Sequence, residues 1–278
     1  MRYFVRHGRL IPGLAAVVAA LTFYAPRALV AENNNGKFER TFAVGDAADV
    51  DVQTAAGNIS VRMVPGSSVR VSGEVRVKTG LLQGDSVPEQ TLRRFVSHPP
   101  IRQHGNSITI GHLRDSDLRR DTFISYEIEV PENTRLRSQT GLGDVQVEGL
   151  HGAVTADTGA GKVTISVVTG DVRANTGLGD ISILGVTGTL RADSSAGNVN
   201  AEGEPGGGWR LSTGLGDVRI RLLGDVGLDV HAEAGLGEIV TSLPLKVDGA
   251  ISHVLRGKLR GGGYVIELKT GAGSIRIE

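Results

Sequence analysis

Four acids recur through the second half of the chain, 36, 37 and 21 residues apart: Asp144, Asp180, Asp217 and Glu238, each directly after a Gly-x-Gly triplet. Carboxylates repeated on glycine-rich corners are the donor set of a calcium-binding β-roll, whose unit is GGxGxD in nine-residue steps. Here the acid follows the second glycine at once, and Lys162, Asn198 and Ser274 stand at the equivalent places of other copies. A lysine inside a cation-ligand ladder would repel the metal, so these residues read as corner side chains that bond local amides. Gly159-Ala-Gly161-Lys162 raises a second chemistry, phosphate binding. A phosphate loop needs an earlier glycine and a Ser or Thr after the lysine; Ala156 and Val163 stand there instead. Gly141-Leu-Gly143 has Gln146 where a dinucleotide fingerprint needs its third glycine.

His98, His104 and His112 lie close together without any cysteine or helical pair, a weak zinc pattern that reads as surface histidines. No GxSxG stretch, cysteine nucleophile or isolated carboxylate pair is present, so the sequence positions no catalytic residue, no cofactor site and no metal site. One feature invites a ligand. The outward positions of one expected strand column run Thr155, Arg173, Arg191, Arg210, His231, beside Asp157, Asn175, Asp193, Ser212 and Glu233. Neighbouring columns neutralising one another is the plain reading, since like charges side by side oppose strand pairing. The sharper reading makes Arg173, Arg191, Arg210 and His231 a ligand face for an anionic polymer such as an acidic polysaccharide.

Such columns exist only if the chain repeats. It reads TGLGDVQV from Thr140, TGAGKVTI from Thr158, TGLGDISI from Thr176, SSAGNVNA from Ser194 and TGLGDVRI from Thr213, with looser copies at Ala234 and Thr270. The second glycines, Gly143, Gly161, Gly179, Gly197, Gly216, Gly237 and Gly273, are 18, 18, 18, 19, 21 and 36 residues apart. A fixed period near twenty marks a repeat architecture. Each unit holds two short alternating runs, as in Val145-Gln-Val147 and Val154-Thr-Ala156, and alternation of this kind argues for strands with one buried face. Aligned by period, Val145, Val163, Ile181, Val199, Val218, Ile239 and Ile275 form one column, and Val154, Val172, Leu190, Trp209 and Val230 another. The expected fold is all-β: a parallel β-solenoid of ~18-residue coils with two short strands per coil, rising about 4.8 Å per coil. An antiparallel meander of nine-residue units fits the alternation but not the likeness at 18.

Before the array, Phe38 to Val77 reads as strands and contains an early copy, TAAGNISV, at Thr54. Residues 80–120 form an insertion. Within it Ser86-Val-Pro-Glu89 resembles a capping box leading into a short helix with Leu92, Phe95 and Val96 on one face; Ser107–Ile110 reads as a strand, and Leu113–Asp121 as a charged loop. The expected organisation is therefore residues 1–31 a signal peptide, 32–135 a strand-rich capping region, and 136–278 the repeat array.

The signal reading rests on Arg2, Arg6 and Arg9 before an apolar run from Leu10 to Ala25 and a cleavage-like Ala28-Leu-Val-Ala31. An uncleaved anchor is its alternative; no later run is long enough to span a bilayer. Removing residues 1–31 takes away four arginines and no acids, so a balance of 30 basic and 30 acidic residues becomes a net charge of −4. A mildly acidic chain argues against nucleic acid as partner. With no cysteine among its 278 residues, an exported chain must be held by its hydrogen-bond ladders and apolar columns.

The TGxGD[VI]x[VI] copies at Thr140, Thr158, Thr176 and Thr213, with Tyr126-Glu-Ile-Glu-Val-Pro131 before them, resemble bacterial exported β-strand-repeat proteins of unassigned function, a group of candidate adhesins and adhesin-like head domains. The resemblance spans roughly Phe38 to Glu278. It implies a non-enzymatic binding or structural module at the cell envelope (periplasm, cell surface or secreted), with an envelope polysaccharide or surface protein as partner. The alternative is a polysaccharide lyase or hydrolase on a solenoid scaffold.

Overall fold

The computed structural model describes residues 35–77, 86–113, 122–247 and 252–278. The expected signal peptide and nearly all of the expected charged loop lie outside these residues. What is described is all-β with one helix, Ser86–Ser97.

Alternating burial runs through almost every strand, as in Thr134–Leu142, where Thr134, Leu136, Ser138 and Thr140 point inward and their neighbours outward. The strands assemble into two hydrogen-bonded ladders. In the first, Ala48–Ala56, Thr134–Leu142, Val154–Ala160, Val172–Leu178 and the latter parts of Ile181–Ala196 and Val199–Leu215 pair in parallel, in that order. In the second, Ile59–Met63, Val145–Glu148, Val163–Thr169, the first parts of Ile181–Ala196 and Val199–Leu215, and Val218–Leu222 do the same. Val145, Val163 and Ile181 are adjacent parallel neighbours, each paired with its counterpart 18 residues away. Parallel pairing here excludes the antiparallel meander for the array.

The inner faces of the ladders form one apolar core. Val50, Leu136, Val154, Val172, Leu190 and Trp209 stack along the first ladder, all nearly fully buried. Beside them Ala156, Ala174 and Ala192 leave room for the facing valines and isoleucines of the second ladder. Ala201, whose alternation with Val199 resembles that of Ala156 with Val154, lies instead in the second ladder, between Ile183 and Ile220. Trp209 is wider than its neighbours. Gly206-Gly207-Gly208 bulges beside it, where Pro205 pairs Gly188 but Trp209 pairs Leu190, and the indole Nε1 donates to the Gly188 carbonyl at 2.9 Å.

A third inward column is polar: Thr54, Thr140, Thr158, Thr176, Ser194, Thr213 and Thr270 are all buried. Each hydroxyl from Thr140 onward donates to the carbonyl of the second glycine in the spatially preceding copy, as Thr158 to Gly143 (2.8 Å) and Thr176 to Gly161 (3.0 Å). This accounts for the threonine in the TGxG motif. The corner carbonyl points away from the strand ladders, and a buried carbonyl without a donor is costly.

The two ends differ from the array. At one end Asn35–Ala43, Ser68–Val77 and Thr122–Val130 pair antiparallel, and the helix lays Leu92 and Phe95 into the core there. Arg40 donates to the Val96 and Ser97 carbonyls, closing the helix C-terminus. The expected strand Ser107–Ile110 forms and pairs with Ala48–Ala56. At the other end the spatial order departs from the sequence order. Tyr264–Ala272 and Ile275–Ile277 insert between the copy of Thr213 and the copy of Ala234, so Ile275 lies between Val218 and Ile239. Chemically equivalent repeats make either order satisfy the columns. Here the antiparallel strand Val254–Leu259 pairs outside Leu228–Leu236.

Candidate functional site

The first ladder presents its outward positions as two parallel columns. Strand pairing places Asp51, Arg137, Thr155, Arg173, Arg191, Arg210, Glu267, His231 and Arg256 in one row. Arg173, Arg191 and Arg210 are therefore immediate neighbours, about 4.8 Å apart at the backbone. His231 is not the next residue of the stripe: Glu267 stands between it and Arg210, because of the inserted strand Tyr264–Ala272. The adjacent row reads Gln53, Gln139, Asp157, Asn175, Asp193, Ser212, Lys269, Glu233.

Charges on this face are partly answered within it. Arg191 Nε donates to Asp193 at 2.7 Å, and Arg210 Nε forms an ion pair with Glu267 at 2.6 Å. Asn175 Nδ2 donates to Asp157 at 2.5 Å, and Ser212 donates to Asp193. Lys269 pairs with Glu233 at 3.2 Å. Among the described residues, Arg137 and Arg173 make no such pairing, which leaves the stripe with a net basic character at its centre. These are exposed ion pairs in water, each contributing little to stability, so their guanidinium groups can exchange partners for a ligand anion.

Two shallow clefts open on the same ladder. One, of about 260 Å³, is lined by Gln53, Thr54, Leu113, Thr122, Gln139 and Thr140 at the helix end. The other, of about 190 Å³, lies at the opposite end among His231, Glu233, Arg256, Glu267 and Lys269. Near the first, His112 Nε2 lies 3.2 Å from Asp51 Oδ1 without hydrogen-bond alignment, while His98 and His104 are exposed elsewhere. Among the described residues no three His, Asp or Glu side chains converge on one point.

The corner acids have a structural task. Asp144 Oδ1 accepts the Lys162 amide (2.8 Å), Asp180 Oδ1 that of Asn198 (2.7 Å), and Asp217 Oδ1 that of Ser274 (2.7 Å). Asn58 and Asn198 do the same for Asp144 and Asp217. The bonded amides belong to the next copy, not to the same corner as the sequence suggests. Sequence reading also missed Arg137, Glu267, Lys269 and Arg256. Arg137 was reachable by carrying the 18-residue period back one step from Thr155; the other three needed the spatial order of the last strands.

A family model described as Toastrack DUF4097 matches residues 27–278. Among solved structures, the chain is similar to a candidate cell adhesion protein from Clostridium sporogenes, at 11% identity and TM-score 0.34, covering 87% of this chain and 98% of that one. A candidate adhesin from Bacteroides fragilis is similar at 14% identity and TM-score 0.39, covering 87% and 97%. A candidate lipid-binding protein from Parabacteroides distasonis is similar at 8% identity and TM-score 0.24, covering 87% and 96%. Comparison with curated proteins gives no match.

Proposed function

We propose that this chain, which belongs to the Toastrack DUF4097 family, is a non-enzymatic, exported, adhesin-like module that displays a flat ligand face at the cell envelope. In this reading residues 1–31 are a signal peptide, residues 32–135 cap the fold, and residues 136–278 are a parallel β-solenoid of ~18-residue coils with two short strands each. The in-register parallel pairings across the array support the coil. Antiparallel strands and a helix at one end support the cap, because they shield ladder edges that would otherwise pair with other chains. No helix among the described residues is long and apolar enough to cross a membrane.

The observation that carries the ligand reading is the unbroken run Arg173, Arg191, Arg210 on adjacent strands. Three guanidinium groups at a repeat of about 4.8 Å suit a polymer bearing regularly spaced carboxylates or sulfates, which Arg binds in a bidentate manner. An acidic polysaccharide of the envelope is the ligand class proposed, with His231 at the rim of the face rather than in the stripe.

The experiment is retention of the purified protein on immobilised acidic glycans. Replacing Arg173, Arg191 and Arg210 by Ser is expected to abolish retention and to leave the circular dichroism spectrum unchanged, since all three side chains are exposed. Unchanged retention refutes the ligand face. Release of reducing sugar ends would replace it with the lyase or hydrolase reading. Fractionation of cells with N-terminal sequencing of the product tests export and cleavage at Ala31.

A further inference from the structure

A second column runs along the corner that joins the ladders, and it is apolar; it lies at the surface except at the capped end, where Ala56 is buried. Strand pairing orders it Ala56, Leu142, Ala160, Leu178, Ala196, Leu215, Ala272, Leu236. The four leucines are exposed, at 59%, 62%, 61% and 70%. The strict alternation is absent from the sequence order, where Leu215 and Leu236 are successive and Ala272 comes last. It appears only because Tyr264–Ala272 inserts between them. Small residues flank the ridge on both sides, glycines at nearly every position, so little shields it. Its eight positions span about 34 Å.

We infer that this ridge is the interface of a two-fold dimer of the chain, with two copies packed antiparallel along it. A row that alternates large and small residues is complementary to itself when reversed. With eight positions, ending in Ala56 at one end and Leu236 at the other, reversal about a two-fold axis midway between Leu178 and Ala196 seats every leucine on an alanine. Leu142 meets the partner's Ala272, and Leu178 meets the partner's Ala196.

The charges flanking the ridge obey the same operation. On one side the corner residues run Asn58, Asp144, Lys162, Asp180, Asn198, Asp217, Ser274, Glu238. Reversal sets Asn58 against the partner's Glu238, Asp144 against the partner's Ser274, Lys162 against the partner's Asp217, and Asp180 against the partner's Asn198. On the other side Asp157 meets the partner's Ser212, Asn175 the partner's Asp193, and Gln139 the partner's Lys269. No like charges oppose one another, the condition a self-complementary interface must meet. The lysine that interrupts the acid column thereby acquires a partner. A lipid surface also covers exposed leucines, but the carboxylates of Asp144, Asp180, Asp217 and Glu238 beside the ridge oppose anionic headgroups.

A contact strip about 34 Å long and about 15 Å wide buries on the order of 1,000 Å² in total, the lower bound for a specific interface, so the dimer is concentration-dependent. The test combines sedimentation velocity over a dilution series with cysteine pairing, for which the cysteine-free chain is a clean background. A mixture of the single variants Leu178→Cys and Ala196→Cys is expected to give a disulfide-linked dimer under mild oxidation; Leu178→Cys with Ala272→Cys, out of register, is not. Leu178→Glu occurs twice in each dimer and is expected to weaken association at least about tenfold. The exposed position leaves the fold intact, checked by circular dichroism. A protein monomeric at every concentration, equal crosslinking of both mixtures, dimers indifferent to Leu178→Glu, or a monomer whose leucines bind anionic vesicles would each overturn the proposal.

Discussion

Replacing Thr176 with Val removes one atom's chemistry and almost nothing else. The side chain keeps its shape and its β-branch, so strand preference is nearly unchanged. What disappears is the hydroxyl that donates to the Gly161 carbonyl at 3.0 Å, from a residue only 5% exposed. No other hydrogen-bond donor to that carbonyl is found among the described residues, and the stacked Gly179 backbone leaves no room for a substitute water, since an added Cβ there would lie 2.1 Å from the same oxygen. A buried acceptor left without a donor costs about 1–3 kcal/mol. Against a folding stability on the order of 5–15 kcal/mol that is a large change. The assay is urea unfolding followed by circular dichroism, with the midpoint falling and the slope preserved. Thr176→Ser is the control. It keeps the donor, and the chain already uses Ser194 in the same role, donating to Gly179 at 3.0 Å. It should lose only the buried methyl, about 0.8 kcal/mol. A Thr176→Val protein within about 0.5 kcal/mol of the parent would refute the idea that the threonine column fastens one copy to the next.

Two further substitutions probe the corners and the capped end. Gly179 has φ of +142° and an added Cβ meets the Gly161 oxygen at 2.1 Å, whereas Gly66 has φ of +144° with open space around it. Gly179→Ala is expected to cost clearly more than Gly66→Ala, by about 2 kcal/mol or more in the same unfolding assay; equal losses would mean that backbone strain alone matters. Tyr126 is 1% exposed and its hydroxyl has no hydrogen-bond partner among the described residues, so Tyr126→Phe should raise stability at neutral pH by about 1 kcal/mol. Burial holds the Tyr126 phenol above its ordinary value. Its contribution is therefore fully present below pH ~10 and is lost as pH rises further, so the Phe variant should resist alkaline unfolding longer than the parent. An unchanged alkaline midpoint would dispose of that argument.

Much of this fold is legible from residue spacing, because a parallel ladder stacks like on like. The 18-residue period alone predicts that Val145 lies on Val163 and Val163 on Ile181, and the alternation in Val154-Thr-Ala156 predicts which side chains face inward. The period also places Arg173, Arg191 and Arg210 side by side. Spacing says less about roles. The recurring Thr and Asp look like generic corner residues, since their partners, a carbonyl and an amide one copy away, are visible only when the copies are stacked. Spacing is silent on the order of the last copies. Those of Thr213, Ala234 and Thr270 offer the same apolar column to any neighbour, so local chemistry does not choose among them. Tertiary structure chooses, inserting the final strand between its two predecessors. That single exchange moves Glu267 into the arginine row and creates the unbroken alternation of leucine and alanine along the corner, neither of which belongs to the order in which the chain is written.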